Sequence, residues 1–223
     1  MADTPSTMGA PGAPIKMVSL TEARTRMEEC DIILCRGVYG VSKLFEKVTK
    51  RAYSHAAVVA RWGGYWMLCQ AEAGGVQAVP LHITVNKYNG SVFWYKLTAE
   101  ARQKLNEART LHEIKHDLGV EFGLWPVLRD IAYRYWGFKH LGMKKPTDSK
   151  EPGAMFCSQY VSHCFRMGGL PLCDHEDINT LPADIEGSKY VQYVATIHVL
   201  PEEHNTSLVA PSQSQNAAVA GSS

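Results

Sequence analysis

Cys157 is the residue of this 223-residue sequence whose position most favours nucleophilic chemistry. The spacing of apolar residues predicts a helix over 156–167, ended by Gly168-Gly169, with Cys157 in its first turn. Amide groups at a helix N-terminus favour negative charge, so this position lowers the pKa of a thiol and favours the nucleophilic thiolate. Spacing alone also allows a cysteine packed against the core, which is how we interpret Cys164 in the same helix.

Two further side chains could assist such a thiol. His55 begins a β-rich run, and a cysteine nucleophile needs a base of this kind within hydrogen-bond reach. Gly63-Gly64 is a hairpin signal that pairs 55–62 with 65–72, so Glu72 is predicted to lie across from His55. A carboxylate there can orient the imidazole and stabilise its protonated form. Each residue alone could equally be solvated at a strand end, but with Cys157 they make a coherent Cys-His-Glu constellation.

A rival pattern lies in a second predicted helix. His112, Glu113 and His116 match H-E-x-x-H, in which two histidines one turn apart bind zinc and the glutamate acts as base. Phe122 occupies the position where a third histidine would be expected, and Gly119 could end the helix directly after the pair. We therefore keep a zinc metallopeptidase through these three residues as a remote alternative, and we expect no metal and no cofactor.

Two other groups of possible metal ligands have weaker spacing. His163-Cys164 and Cys173-Asp174-His175 lack the C-x-x-C spacing of a structural zinc site, so we interpret them as surface turn and helix residues. The sequence contains six cysteines, but no secretory signal pattern accompanies them. This combination favours reduced thiols, several of them packed as small core residues.

The composition is typical of a soluble globular protein. Apolar residues make up 45% of the chain and charged residues 20%, and the net charge is +1. A nearly neutral chain has no long-range field to attract nucleic acid, and no apolar run approaches the roughly 18 residues of a transmembrane helix. We therefore expect no nucleic-acid partner and no transmembrane segment. The lack of a secretory signal predicts a cytoplasmic or phage virion-associated protein, and the oligomeric state stays open.

Helix and strand signals alternate between two polar ends. We predict a capping box at Ser19 to Glu22, consecutive hairpin strands between 55 and 97, and a long helix over 98–118. The other predicted elements are a strand at 31–35, helices at 41–51 and 122–135, a loop over 137–154 and a last strand at 191–199. Residues 1–17 and 204–223 are predicted to be disordered tails on a single domain, 18–203. This order predicts an α+β fold with an antiparallel sheet.

Five short motifs occur in a recognisable order between about residues 30 and 200. They are Asp31-Ile32-Ile33-Leu34, Tyr53-Ser54-His55, Ala71-Glu72-Ala73 with Gly75-Val76, Phe156-Cys157-Ser158, and Leu181-Pro182-Ala183-Asp184 with Ser188. Their order resembles the circularly permuted branch of the NlpC-type papain-like cysteine hydrolases, the YiiX-like proteins, in which the histidine precedes the cysteine. Cys30 and Gln159 replace a glycine and a glutamate that are usual in that family, at positions not thought to do chemistry.

The resemblance implies a permuted papain-like fold: an antiparallel sheet or partial barrel packed against helices, with the nucleophile at a helix N-terminus. It implies a bacterial or phage thiol hydrolase in which Cys157 attacks a carbonyl, His55 moves the proton and Glu72 orients His55. The backbone N–H of Cys157 is a candidate oxyanion donor. Some members of the superfamily cut amide bonds in peptidoglycan stem peptides, and this is our main hypothesis. The alternatives are a lipid acyl hydrolase or acyltransferase on the same triad and a non-catalytic virion or binding protein.

Overall fold

A computed structural model describes residues 16–37, 53–122 and 154–198. Its strands are β1 (Met17–Ser19), β2 (Ile32–Gly37), β3 (His55–Trp62), β4 (Tyr65–Glu72), β5 (Gly75–Pro80), β6 (Gly90–Leu97), β7 (Glu121–Phe122), β8 (Ala154–Met155) and β9 (Val191–His198). Its helices are α1 (Leu20–Arg26), α2 (Leu81–Lys87), α3 (Ala99–Lys104), α4 (Glu107–His116), α5 (Cys157–Met167) and α6 (Pro182–Glu186), and a 3₁₀ turn covers Asp177–Asn179. The predicted α+β class is confirmed.

Seven of the strands form one sheet in the order β1-β9-β6-β2-β3-β4-β5. Neighbouring strands are antiparallel except at one edge, where β1 and β9 run parallel and Met17, from the predicted tail, lies opposite Thr196. Strands β7 and β8 form a separate parallel pair. The predicted antiparallel arrangement is therefore confirmed for every pair of the large sheet but one, and this sheet is open rather than closed into a barrel.

Strand β2 shows how the sheet is buried on both faces. Successive side chains of a strand point to opposite faces. Ile32 and Leu34 pack in the core that includes α5, whereas Ile33 and Cys35 pack in the core that includes α1 and α2. A strand covered on both faces is apolar along its whole length, which is why this strand could be predicted from the sequence.

The hairpin that carries the candidate base has the predicted bounds. Strands β3 and β4 are joined by Gly63-Gly64, whose φ angles of 55° and 87° are those that a type I′ turn requires. Val58 lies opposite Cys69 in this hairpin, and the same register continued to the strand ends sets His55 opposite Glu72. The hairpin signal in the sequence therefore correctly predicted that His55 and Glu72 lie at the same end of this hairpin.

The single long helix predicted over 98–118 is wrong, because the chain breaks between α3 and α4. Leu105 has an extended backbone, with φ −73° and ψ 127°, and its side chain is buried. Asn106 caps α4 by accepting a hydrogen bond from the Arg109 N–H at 3.0 Å, and its own N–H donates to the Gly168 carbonyl at 2.9 Å. The break thus attaches the start of α4 to the end of α5. Apolar spacing did not reveal it, because both halves keep a helical period.

Several predicted elements lie wholly or largely outside the described residues. They are the helix at 41–51, nearly all of the helix at 122–135 and of the loop over 137–154, and both tails apart from residues 16 and 17. The first residue of the helix predicted at 122–135, Phe122, belongs to β7. The helices α2 and α6 were not predicted, because segments of 7 and 5 residues show too little periodicity. No helix among the described residues is long and apolar enough to span a bilayer.

Candidate active site

Cys157 is the first residue of α5, as the sequence predicts. Phe156 is the N-cap residue, with an extended backbone (φ −107°, ψ 168°) and a buried side chain. No side chain within the described part of the chain caps this end of the helix, so its first amide groups stay directed at the helix start. Cys157 is half-buried, whereas the other five cysteines are buried. The thiol therefore lies in the positive field of the helix N-terminus and keeps access to solvent.

Hydrogen bonds to neighbouring segments hold α5 in position. The Ser158 hydroxyl donates to the Thr180 carbonyl at 2.6 Å, and the Tyr160 hydroxyl donates to the Ile114 carbonyl at 3.0 Å. Both bonds are buried, and Tyr160 is among the largest fully buried side chains. Leu181, the N-cap residue of α6, follows Thr180 and starts the motif that ends at Ser188, so this segment supports the helix that carries Cys157.

His55 is the first residue of β3 and lies opposite Cys35 of β2. The preceding residue is fixed on the same strand, since the Ser54 N–H donates to the Cys35 carbonyl at 2.9 Å. The imidazole lies close enough to the Cys157 thiol for each group to shift the pKa of the other, and it keeps 16% of its side-chain surface exposed. The tertiary structure thus brings together the cysteine and the histidine that the sequence predicted as a pair, although they lie 102 positions apart in the chain.

Gln70, which the sequence did not reveal as a site residue, lies within hydrogen-bond distance of His55 Nε2. Its Oε1 lies 2.9 Å from His55 Nε2, and Gln70 is buried. Glu72 Oε1 is 3.9 Å from the same nitrogen, its side chain is 46% exposed, and its Oε2 accepts a hydrogen bond from Gln77. The signal that could have found Gln70 is the strand period of two, which puts it on the same face of β4 as Glu72.

The surroundings of Cys157 and His55 favour the ionised pair. Burial by itself raises the pKa of Cys157, but the hydrogen bond and charge of His55, helped by the backbone N–H groups of Ala56 and Ser158, lower it below the usual thiol value. Burial lowers the pKa of His55, yet the hydrogen bond and charge of Cys157, followed by Gln70 and then Glu72, raise it to about 9. Both shifts point to a thiolate beside an imidazolium.

The other cysteines lack this environment. Burial raises the pKa of Cys69 and of Cys173 to about 12, and it also raises the pKa of Cys30, Cys35 and Cys164. Five of the six cysteines are buried, which confirms the prediction that several of them pack as small core residues. Cys173 had been interpreted as a surface turn residue, and this interpretation was wrong. Among the six thiols, Cys157 alone has a lowered pKa.

The H-E-x-x-H residues do not form one group of ligands. His112 and His116 are exposed on α4, and Glu113 instead faces α5, with its Oε1 3.3 Å from His163 Nε2. Asp117 Oδ2 lies 3.8 Å from the same histidine nitrogen. Among the described residues, Glu113, Asp117 and His163 form the one group of at least three donors close enough to share a metal ion. His163 had been interpreted as an ordinary helix residue.

Comparison with known proteins gives a match to a solved structure. No family model matches the chain, and no curated protein matches it significantly. The fold is similar to the crystal structure of the metalloprotein YiiX from Escherichia coli O157:H7 (DUF1105), with a TM-score of 0.53 and 15% sequence identity, over 75% of this chain and 96% of that one. The fold is YiiX-like. At 15% identity the match is evidence for the fold alone. It confirms the YiiX-like part of the resemblance drawn from the five motifs.

Proposed function

We propose that this protein is a thiol hydrolase of the permuted papain-like type, with Cys157 as nucleophile and His55 as general acid and base. The observation that carries the proposal is the adjacency of these two side chains at the start of α5, where each shifts the pKa of the other toward the ionised pair. A lowered thiol pKa and an imidazole pKa raised to about 9 are what a thiolate–imidazolium pair requires. The order of the residues, base before nucleophile, also agrees with the permuted branch.

The arrangement supports a two-step hydrolysis. The Cys157 thiolate attacks the carbonyl carbon of an amide and forms a C–S bond, while N–H groups at the start of α5 stabilise the oxyanion. The His55 imidazolium donates its proton to the leaving nitrogen as the C–N bond breaks, which leaves a thioester on Cys157. Neutral His55 then takes a proton from water as the water oxygen attacks the thioester. The carboxylic acid leaves, and the thiolate–imidazolium pair is restored.

In this proposal, Gln70 and Glu72 share the role of the third triad residue, which is to orient the imidazole and stabilise its charged form. The Gln70 carboxamide accepts from His55 Nε2 at 2.9 Å and so orients the ring toward Cys157. Glu72 lies 3.9 Å from Nε2 and adds a negative charge that favours the imidazolium. The exposure of Glu72 weakens this charge effect, because water and salt screen it.

The substrate class we assign is the amide bond of peptidoglycan-type peptides, on the strength of the motif resemblance. The test compares purified peptidoglycan with a fatty-acyl ester, using the wild-type protein, Cys157→Ala and the matched control Cys173→Ala. We expect amide cleavage by the wild type and by the control and none by Cys157→Ala. Cleavage of the ester alone would move the assignment to acyl lipids. An inert protein whose Cys157 also fails to react with iodoacetamide would exclude the hydrolase and leave a binding protein.

A further inference from the structure

Glu113 and Asp117 put two carboxylates on one face of the end of α4. They are separated by four positions, so their side chains are neighbours, and like charges at this spacing repel each other. Glu113 is 14% exposed and Asp117 is 6% exposed at the side chain, so water screens the repulsion poorly. A group that brings positive charge between them would stabilise this end of the helix.

His163 of α5 faces this pair of carboxylates. Its Nε2 lies 3.3 Å from Glu113 Oε1 and 3.8 Å from Asp117 Oδ2. The second distance is too long for a hydrogen bond. Asp117 Oδ2 is buried and has no hydrogen-bond partner among the described residues, although it points toward His163. A buried carboxylate oxygen without a partner lowers the stability of the folded protein. A cation bound between the three side chains would give this oxygen a partner.

The other side of the His163 ring faces a third carboxylate, that of Asp177. Its Nδ1 lies 3.9 Å from Asp177 Oδ2. The Asp177 carboxylate is held by the Ser162 hydroxyl at 2.5 Å and by the Arg166 guanidinium at 3.0 Å. Histidine ligands usually donate a hydrogen bond from the second nitrogen to a carboxylate. At 3.9 Å Asp177 is too far from Nδ1 for that bond, and it acts on the ring through its negative charge. On the opposite side, Nε2 faces Glu113 and Asp117.

The separations of the donor atoms fit a small cation. Metal–ligand distances of about 2.0–2.1 Å in a tetrahedral zinc site put neighbouring donors about 3.3 Å apart. The three donor atoms all lie within 4.8 Å of one another, and Glu113 Oε1 is 3.3 Å from His163 Nε2. One imidazole nitrogen and two carboxylate oxygens are ligands that zinc and the neighbouring divalent metals accept. Three protein ligands leave a fourth position for water.

We propose that Glu113, Asp117 and His163 bind one divalent transition-metal cation, for which Zn²⁺ is the probe, and that this cation joins α4 to α5. The site is separate from the candidate active site. His163 is six positions after Cys157, which is about 9 Å along the helix and roughly 120° around it. The cation therefore stabilises the packing of the two helices and takes no part in the thiol chemistry.

Zinc titration of the full-length protein tests the site. Because a thiolate beside an imidazole also binds zinc, all proteins carry Cys157→Ser, and the metal is first removed with a chelator. We expect one Zn²⁺ per chain by calorimetry and by elemental analysis, and an increase in melting temperature on zinc addition. Loss of a residue that only supports a metal ligand weakens metal binding by roughly 10- to 100-fold. Glu113→Gln and His163→Ala remove ligands, so each should weaken zinc binding by more than this.

His112→Ala is the matched control, because it removes an exposed histidine next to Glu113 on the same helix. It should bind zinc as the Cys157→Ser parent does. Circular dichroism of the metal-free variants checks that each one folds, and the near-isosteric Asp117→Asn provides a second test that keeps side-chain volume. A parent protein that binds less than one tenth of an equivalent would overturn the proposal. Equal binding by the parent and by folded Glu113→Gln and His163→Ala would also overturn it, as would loss of binding in His112→Ala alone.

Discussion

The Nε2 atom of His55 lies 2.9 Å from the Oε1 atom of Gln70, which makes the buried carboxamide the direct partner of the candidate base. A neutral amide holds an imidazole in place without a full charge. The pKa of His55 is therefore raised more by the adjacent Cys157 thiol than by the Glu72 carboxylate.

Substitutions at Gln70 and Glu72 should have unequal effects. Gln70→Ala removes the hydrogen bond that orients the ring, so we expect turnover to fall by about 10- to 1000-fold with a smaller change in KM. Glu72→Gln removes a screened charge 3.9 Å away, and turnover should fall by no more than about 10-fold. Steady-state kinetics of the two variants, with Gln70→Glu to restore an acceptor, measure the difference. A larger loss in Glu72→Gln than in Gln70→Ala would return the orienting role to the carboxylate.

The reactivity of Cys157 should extend to acidic pH. Its pKa is lowered, so the thiolate persists as pH falls until the pH reaches that lowered value. A limiting dose of iodoacetamide at about pH 6 should label Cys157 first, because ordinary thiols with a pKa near 8.5 are protonated there. Peptide mass spectrometry identifies the site, and Cys69 and Cys173 are internal controls. Labelling of either control ahead of Cys157 would remove the nucleophile assignment.

The upper limit of the activity profile is set by His55. The first step needs the imidazolium as proton donor, and the pKa of His55 is raised to about 9. Turnover should therefore fall as pH rises through about 9, whereas the thiolate remains available for alkylation. A pH–rate profile for hydrolysis, compared with the alkylation profile, separates the two groups. Hydrolysis that rises with pH beyond 10 would be incompatible with His55 as the acid.

Chelation should leave the thiol chemistry intact. EDTA or phenanthroline removes a metal held between α4 and α5, yet Cys157 and His55 need no metal for the steps proposed. Turnover and Cys157 labelling at 25 °C should therefore persist, while the melting temperature falls. Activity that is lost on chelation and restored by zinc would instead favour the metallopeptidase alternative.

The break between α3 and α4 should contribute to stability through Asn106. Its side chain caps α4, so Asn106→Ala should lower the free energy of unfolding by about 1 kcal/mol. Asn106→Asp keeps an acceptor at the cap and should retain most of that stability. Urea unfolding followed by circular dichroism measures both variants. Equal stability of the alanine variant and wild type would show that the cap contributes nothing at this break.

The sequence by itself determined the features that depend on local periodicity and turn chemistry. Ser19 accepts a hydrogen bond from the Glu22 N–H, as the capping box predicts, and the paired glycines at 63 and 64 set the bounds of β3 and β4. Cys157 at a helix start was also predictable. These features need information from only a few neighbouring residues, so a short pattern suffices to predict them.

The tertiary structure alone decided which distant side chains meet. Gln70 approaches His55 diagonally across a hairpin, a contact that depends on strand twist and side-chain length as well as on register. His163 meets Glu113 because the chain breaks at Leu105 and redirects α4 against α5, and apolar periodicity does not record that break. Both contacts join polar side chains from separate elements. Patterns in the sequence reveal which face of an element is buried, but the partner on the opposing element is set by packing.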